Sequence, residues 1–318
     1  CFSLWFFAVG FWSTCLIWGV VGSGLAGTYM PGLQVLNDRL NMTDRVKLTP
    51  WYTSSFGLSN GISFAVIGYL FANFSWKIAC YTTSISAALS AIIILFLTTS
   101  HNQKKDISER KFFDLRPAFK NKEALGYIFS YGTHTYELFA YRAWIFTFLL
   151  WASLRTPNTI SSELISLIIG IFMFIGMVSS LMGAKFCLDY GRKKVLMIIG
   201  FATFVFSVIC AISISLPLWV IIILVGIYHA FIMLDSGALT AGTVSVSDDN
   251  ERGAILAFHS IIGFAGGAIA GPIIGFILDI NGGTNNTSAW IFAFISMGLG
   301  SLFVFLIQYR SLVTRIKN

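Results

Sequence analysis

The chain has 318 residues, of which 56% are apolar and only 11% are charged, and its mean hydropathy is +0.77. A water-soluble protein carries about a quarter charged residues, so this composition excludes a soluble fold and predicts a protein that uses lipid as its solvent. The formal charge of +7 could suit nucleic acid, but the basic residues stand almost entirely in loops between apolar runs.

The apolar runs predict membrane-spanning α-helices, because a helix needs about 20 apolar residues to cross a bilayer and the runs are too long for barrel strands. We expect a stub and nine complete spans. The stub is near 1–11, and the spans lie near 14–36, 52–73, 76–99, 124–152, 164–186, 195–214, 217–242, 253–279 and 288–309. The predicted fold is an all-α, polytopic membrane protein.

Alternate loops differ sharply in their content of Lys and Arg. One set of loops carries 18 of the 21 basic residues, the opposite set carries only Lys77 and Arg155, and Arg142 lies inside a span. Because cytoplasmic loops hold the excess, we expect the first set, which includes the 100–123 loop and the C-terminus, to be cytoplasmic. We call this side the basic face. The net charge is then an orientation signal that needs no nucleic-acid partner.

The long polar segment 100–123 predicts a domain boundary, formed by a solvated central loop with a short amphipathic helix around 112–119. A shift of about 206 residues aligns 52–57 with 258–263, and six spans per unit fit that shift, as in transporters built from repeats. By this count 1–99 is the remainder of an N-terminal bundle, a stub plus three spans, and 124–318 is a C-terminal six-helix bundle with a short tail. The missing spans predict an N-terminally truncated chain.

Two groups of residues carry a resemblance to a known family. The loop 183–194 ends in Gly191, Arg192 and Lys193, and a later span contains Gly263, Gly267, Gly271, Pro272 and Gly275. They resemble two motifs of the major facilitator superfamily of transporters, although Leu188 stands where the loop motif has Asp. The resemblance implies two six-helix bundles, as in bacterial members, and a secondary transporter without enzyme chemistry.

Elementary physics accounts for the same residues without the family. Gly191 permits a tight turn, and the cations after it cannot enter lipid, so they hold helix ends at the interface; a conformational latch is the alternative role. The small residues of the later span allow close helix packing, and Pro272 can kink the helix.

Ionisable groups inside the spans are the candidates for transport, because they are costly in lipid. His134, Glu137 and Tyr141 are spaced to share one face of the 124–152 span, and Glu137 is the candidate proton-coupling group. The fixed charge of Arg142 suits an anionic substrate or a carboxylate on a neighbouring helix. For Glu137 and Arg142, an interhelical ion pair that holds the bundle together is the alternative.

Four further residues complete the candidate site. Asp235 is expected close to the basic face, and the repeat aligns it with Tyr29, which makes these two candidates for an inner gate or a cavity floor. For His229, a hydrogen-bonded contact between helices is the favoured role, and a proton relay is the alternative. Tyr29 and Tyr136 are candidates for lining the substrate cavity.

We therefore expect a secondary active transporter that moves a small organic solute or anion by alternating access, either as a uniporter or coupled to protons. Its partners are the lipid bilayer and its small-molecule substrate, and we expect a monomer in the cell membrane. A channel and a receptor on a carrier scaffold are the alternatives. The sequence has no His-Glu-x-x-His motif, nucleophile elbow or metal-spaced Cys or His group, so neither an enzyme nor a cofactor is predicted.

Overall fold

A computed structural model of the chain describes residues 7–97, 114–157 and 159–317. Helices account for nearly all of these residues, and no strand occurs among them. They are α1 (Phe11–Ala26), α2 (Tyr29–Asn37), α3 (Met42–Asn73), α4 (Trp76–Leu97), α5 (Arg116–Lys120), α6 (Lys122–Leu154), α7 (Ser162–Tyr190), α8 (Arg192–Ile212), α9 (Leu218–Leu234), α10 (Ser236–Ser245), α11 (Arg252–Ile280) and α12 (Thr287–Lys317).

Seven helical segments of the described chain are long and apolar enough to cross a membrane. They correspond to α3, α4, α7, α8, α9 joined with α10, α11 and α12. The 33-residue helix α6 is as long, but its polar side chains, including Glu137 and Arg142, lower its mean hydropathy. The prediction of an all-α polytopic membrane protein is confirmed.

Two expected spans are each divided into two helices. In the 14–36 span, the first helix ends at Ala26 and the second begins at Tyr29. In the 217–242 span, the two helices meet at Asp235. Gly27 and Thr28 separate the first pair, where glycine lowers the helical propensity. At the second break, the side chain of Asp235 bonds to another helix, as described below. Most of the expected stub lies outside the described residues.

The described residues fall into two compact units. One unit comprises 1–39 and 66–112, and the other comprises 40–65 and 113–318, in both cases without the undescribed residues. Of the central loop, the structure describes the end, where α5 forms and the ring of Phe119 packs 4.7 Å from that of Phe258. The remainder of the 100–123 segment, including the start of the expected amphipathic helix, lies outside the described residues.

Glycines on α11 face α6 and allow the two helices to pack closely. A Cβ atom added to each would meet a side chain of α6, namely Tyr131 at Gly263 (2.4 Å), Phe139 at Gly267 (3.0 Å), Ala143 at Gly271 (3.6 Å) and Trp144 at Gly275 (3.1 Å). Trp144 also donates from Nε1 to the carbonyl oxygen of Gly271 at 3.0 Å. α11 continues through Pro272 as one helix. In a bilayer the hydrophobic effect does not drive helices together, so close packing through small residues is what stabilises their association.

A second close approach joins α3 and α7 within the larger unit. A Cβ atom at Gly61 would lie 2.9 Å from the carbonyl oxygen of Gly170, and one at Gly170 would lie 3.0 Å from that of Gly61. The contact is reciprocal and involves backbone on both sides, so neither position tolerates a larger side chain without separation of the two helices.

An aromatic cluster packs the end of the larger unit away from the basic loops. Trp290 is fully buried, and its ring lies 5.1 Å from Phe148 and 5.9 Å from Trp151. Its Nε1 donates to the carbonyl oxygen of Thr284 at 2.8 Å. Edge-to-face and offset aromatic pairs of this kind add about 0.5–1.5 kcal/mol each beyond burial alone.

Candidate functional site

The long helix α6 carries most of the candidate site. Its start is fixed by Asn121, whose side-chain oxygen accepts from the backbone N–H of Ala124 at 2.9 Å. The side-chain amide of the same residue donates to the carbonyl oxygen of Val246, just after α10, at 2.7 Å. The cap therefore satisfies an otherwise unpaired helix N–H and joins the start of α6 to the end of α10.

Glu137 lies near the middle of α6 and is almost completely buried. Its Oε1 atom accepts a hydrogen bond of 2.6 Å from the hydroxyl of Tyr228 on α9. Its Oε2 atom accepts from the hydroxyl of Ser301 on α12. Both partners are hydroxyl groups, so the interhelical ion pair considered as an alternative for Glu137 does not occur among the described residues.

A second ionisable pair lies on the same helix. The Nδ1 atom of His134 lies 2.7 Å from Oδ1 of Asp235, and both side chains are at most 3% exposed. Asp235 is the residue at which α9 ends and α10 begins. The pair therefore joins the middle of α6 to the break in the neighbouring span.

His229 packs by ring stacking. Its ring lies 5.0 Å from that of Tyr141 at an interplanar angle of 24°, and a Cβ atom at Gly176 would lie 2.7 Å from its Nε2. Neither ring nitrogen has a hydrogen-bond partner among the described residues. The hydrogen-bonded contact between helices that the sequence favoured for His229 is therefore not seen among the described residues, and the role of His229 stays a prediction.

Arg142 lies on a different side of α6 from Glu137. Its guanidinium carbon is 5.1 Å from the centre of the Phe56 ring on α3 and 5.9 Å from that of Phe139. Cation–π contacts of this kind stabilise a guanidinium where water is scarce. The structure thus separates Arg142 from the hydroxyl-bonded carboxyl group, as the spacing of five residues suggested.

The two candidate tyrosines lie in different compact units. Tyr136 is half-buried, and its hydroxyl is 2.9 Å from that of Ser296 on α12. Tyr29 is the first residue of α2, in the other compact unit. The proposed pairing of Tyr29 with Asp235 stays a prediction.

The basic loop after α7 is attached to two other helices. Gly191 has a φ of +91°, which glycine adopts without strain. Arg192 donates to the hydroxyl of Ser245 on α10 at 2.7 Å, and the Lys193 ammonium lies 2.8 Å from a carboxylate oxygen of Glu123 on α6. The Lys193–Glu123 contact places the start of α6 and the loop after α7 at one end of the bundle.

An ion cluster at the same end joins α3 to α11. Arg45 donates to Oδ1 of Asp249 at 2.7 Å, and Arg252 donates to the same oxygen. The hydrogen bond from Arg252 lowers the pKa of Asp249 below its ordinary value of 3.8, a smaller desolvation effect opposes this, and the bond from Arg45 lowers the pKa further. The carboxylate is 65% exposed, whereas the two guanidinium groups are mostly buried.

Sequence reasoning missed several residues that contact the candidate site. Tyr228 and Ser301 were not singled out, although Tyr228 directly precedes His229. His259 also escaped notice, yet its ring stacks 3.9 Å from Tyr131 and its Nδ1 lies 3.2 Å from the hydroxyl of Thr243. Their partners lie on other helices, so the sequence around each residue does not reveal the contact. The only available signal was that each is a polar residue within an apolar helix.

The described residues contain no group of three His, Cys, Asp or Glu side chains that could hold a metal ion. What the bundle does contain is a buried carboxyl group between hydroxyl donors and a buried histidine–aspartate pair. Such groups suit proton exchange and polar recognition within a membrane.

Long apolar helices around buried ionisable groups define a multi-pass membrane protein. The family model described as Major Facilitator Superfamily matches residues 1–154 and 138–315. The chain therefore belongs to this superfamily of membrane transporters, which confirms the resemblance found in the sequence. No curated protein matches the chain significantly. A membrane transporter implies a lipid bilayer as its surroundings and a small molecule as its substrate.

Proposed function

We propose that this protein is a secondary active transporter that moves a small organic solute or anion by alternating access, with Glu137 as its proton-coupling group. The observation that carries the proposal is the environment of Glu137, a buried carboxyl group whose hydrogen-bond partners are the hydroxyls of Tyr228 and Ser301.

Hydroxyl partners suit a group that gains and loses a proton. A hydroxyl can donate to a carboxylate and can rotate to accept from a carboxylic acid, whereas Arg and Lys can only donate. A neighbouring cation would hold the carboxylate in its charged form. Tyr228 and Ser301 can therefore satisfy Glu137 in both protonation states, while a buried charge without a cation remains costly. If the transporter opens the site of Glu137 to water on one side of the membrane and then on the other, the carboxyl group can take up a proton from one side and release it on the other.

The junction between α9 and α10 adds a second ionisable pair to the site. Transporters often build their binding sites from interrupted helices, where backbone and side-chain groups become available to a ligand. Here the interruption falls on Asp235, which pairs with His134 one turn before Glu137 on α6. His134 and Glu137 on α6 therefore both contact the span formed by α9 and α10.

Arg142 is the proposed contact for an anionic cargo. Its charge is permanent, and its planar group can bind a carboxylate with two parallel hydrogen bonds. Its position over Phe56 and Phe139 holds the guanidinium beside α3, and the two carboxylate oxygens of Glu137 accept from Tyr228 and Ser301. We further propose that the transporter acts as a monomer in the cell membrane with its basic face in the cytoplasm.

The test uses the full chain in proteoliposomes, after a thermal-shift screen against organic acids and neutral metabolites has identified a cargo. Glu137→Gln keeps the shape of the side chain but cannot release a proton. We expect it to abolish accumulation driven by a pH gradient and to leave exchange of labelled for unlabelled cargo intact. Glu163→Gln is the matched control, because Glu163 is an exposed carboxylate at the start of α7.

Three results would contradict the proposal. Gradient-driven accumulation by Glu137→Gln would remove Glu137 from proton coupling. Cargo flux without counterflow would indicate a channel, and cargo binding without any flux would indicate a receptor.

A further inference from the structure

A crevice opens between α11 and α12 on the outside of the larger unit, with α6 as its floor. Its volume is about 430 Å³, within the range of about 300–1,000 Å³ typical of ligand pockets. Its lining includes the small residues Gly132 on α6, Ala265 and Gly266 on α11, and Gly300 on α12.

The rim of the crevice is apolar and faces outward. Phe129, Ile269, Leu299 and Phe303 are between 39% and 53% exposed. Ile269 stands 17 residues after the start of α11 and 11 before its end, so at a rise of about 1.5 Å per residue it lies deep within the membrane. An outward surface at this depth contacts the hydrocarbon chains of the bilayer.

The crevice offers no free polar side chain to a polar ligand. The two polar side chains in its lining are Thr133 and Tyr136. The hydroxyl of Thr133 donates to the carbonyl oxygen of Ser130 at 3.0 Å, and the hydroxyl of Tyr136 is paired with Ser296. An apolar space whose polar groups are already satisfied favours an apolar occupant over water or a polar solute.

We propose that this crevice is a binding site for one acyl chain of a bilayer lipid. If the crevice were empty, its lining atoms would lose van der Waals contacts. The surrounding hydrocarbon is the occupant whose chemistry matches both the lining and the rim. This inference is independent of proton coupling and of the identity of the cargo.

The bound chain would lie against the wall behind which Glu137 is buried. A Cβ atom at Gly300, which lines the crevice, would be 2.8 Å from Cβ and 3.3 Å from Oε2 of Glu137. The lipid therefore closes the crevice side of that wall to water, and the carboxyl group is accessible only from the interior of the bundle.

Photolabelling of the full chain in nanodiscs tests the site. The discs contain phosphatidylcholine with a diazirine in the middle of one acyl chain, and adducts are mapped by mass spectrometry after illumination. We expect adducts on 129–136, 262–269 and 299–303 at a higher yield than on the outer surface of α8, where Ile198 and Phe201 are equally exposed to lipid. The α8 surface measures the labelling that non-specific lipid contact gives.

Two tryptophan variants of α11 make the test specific. Ala265→Trp fills the crevice and should reduce labelling there to the level on α8, with Ala265→Leu giving a partial loss. Ala268→Trp adds the same side chain at an exposed position of the same helix outside the lining, and should leave the labelling unchanged. A thermal unfolding curve for each variant verifies that it is folded.

Equal yields on the crevice and on α8 in the unmodified protein would overturn the proposal. Labelling that persists in Ala265→Trp at the unmodified level would do the same. A loss shared by Ala265→Trp and Ala268→Trp would assign the effect to α11 as a whole and would also reject the site.

Discussion

The hydroxyl of Tyr228 donates a hydrogen bond of 2.6 Å to Oε1 of Glu137, across the interface between α9 and α6. The hydroxyl of Ser301 on α12 donates a hydrogen bond to the other carboxylate oxygen, Oε2. Three helices that are far apart in the sequence therefore meet at one carboxyl group, and each can be altered separately by a single substitution.

Tyr228→Phe removes one of these donors and leaves the ring in place. We expect a loss of about 1–3 kcal/mol in the free energy of unfolding, since a buried acceptor loses its partner, and a changed pH dependence of cargo accumulation. Tyr141→Phe is the matched control, because Tyr141 is equally buried but donates to the carbonyl oxygen of Val225. Transport assays across a pH series separate the two variants, and identical pH profiles for them would contradict the role of Tyr228.

The pair of His134 and Asp235 should behave as a unit in a double-mutant cycle. Removing one member of a buried pair costs about 3–5 kcal/mol because the other is left unpaired. We therefore expect His134→Gln and Asp235→Asn each to destabilise the protein strongly, and the double variant to cost clearly less than the sum. Unfolding in mixed micelles measures these free energies, and additive costs would show that the two side chains do not interact.

Asp249 predicts an acid-dependent contribution to stability. Its pKa is lowered in the folded protein, chiefly by the hydrogen bond from Arg252, so its contribution is present at neutral pH and is lost as the pH falls through the folded-state pKa, below about pH 4. The carboxylate is 65% exposed, so we expect the effect to be about 1 kcal/mol or less.

The measurement compares the melting temperature of Asp249→Asn with that of the unmodified protein across a pH series. The difference should be largest near neutral pH and should shrink at acid pH. Asp248→Asn, at the exposed neighbouring position, should show no such trend. A difference for Asp249→Asn that does not vary with pH would reject the ion cluster as its cause.

Arg142 is expected to determine the response to anions. Arg142→Ala should abolish the stabilisation of the protein by organic anions in a thermal-shift assay, and Arg142→Lys should weaken it, because lysine retains the charge but not the planar donor fork. Arg155→Ala is the control, since Arg155 also lies over an aromatic ring, 4.6 Å from Trp151, but at an exposed helix end. Unchanged anion responses in both Arg142 variants would assign Arg142 a structural role.

Hydropathy predicted most of the fold, because a membrane helix must be apolar along its whole length. It could not predict the interruptions at Gly27–Thr28 and at Asp235, since an apolar run looks the same whether its helix is continuous or broken. The glycine series of α11 was recognised as a packing surface, but its partner helix α6 could only be found in three dimensions.

The candidate site was predicted in part for a similar reason. A charged residue in an apolar run is visible in the sequence, so Glu137, Arg142 and Asp235 were singled out. Serine and tyrosine are common in membrane helices, and nothing in the local sequence distinguishes Ser301 or Tyr228 from residues that bond within their own helix. The partner of a buried charge is set by helix packing, which periodicity alone does not determine.

The parts of the span before and after Asp235 are held by different sets of contacts. The ten residues of α10 are fastened to four neighbours, through Asp235 to α6, Gly237 to Ser180 on α7, Thr243 to His259 on α11, and Ser245 to Arg192 on α8. α9, on the other side of Asp235, is held separately by the hydrogen bond from Tyr228 to Glu137 on α6. A displacement of α10 would therefore act on α6, α7, α8 and α11 at once.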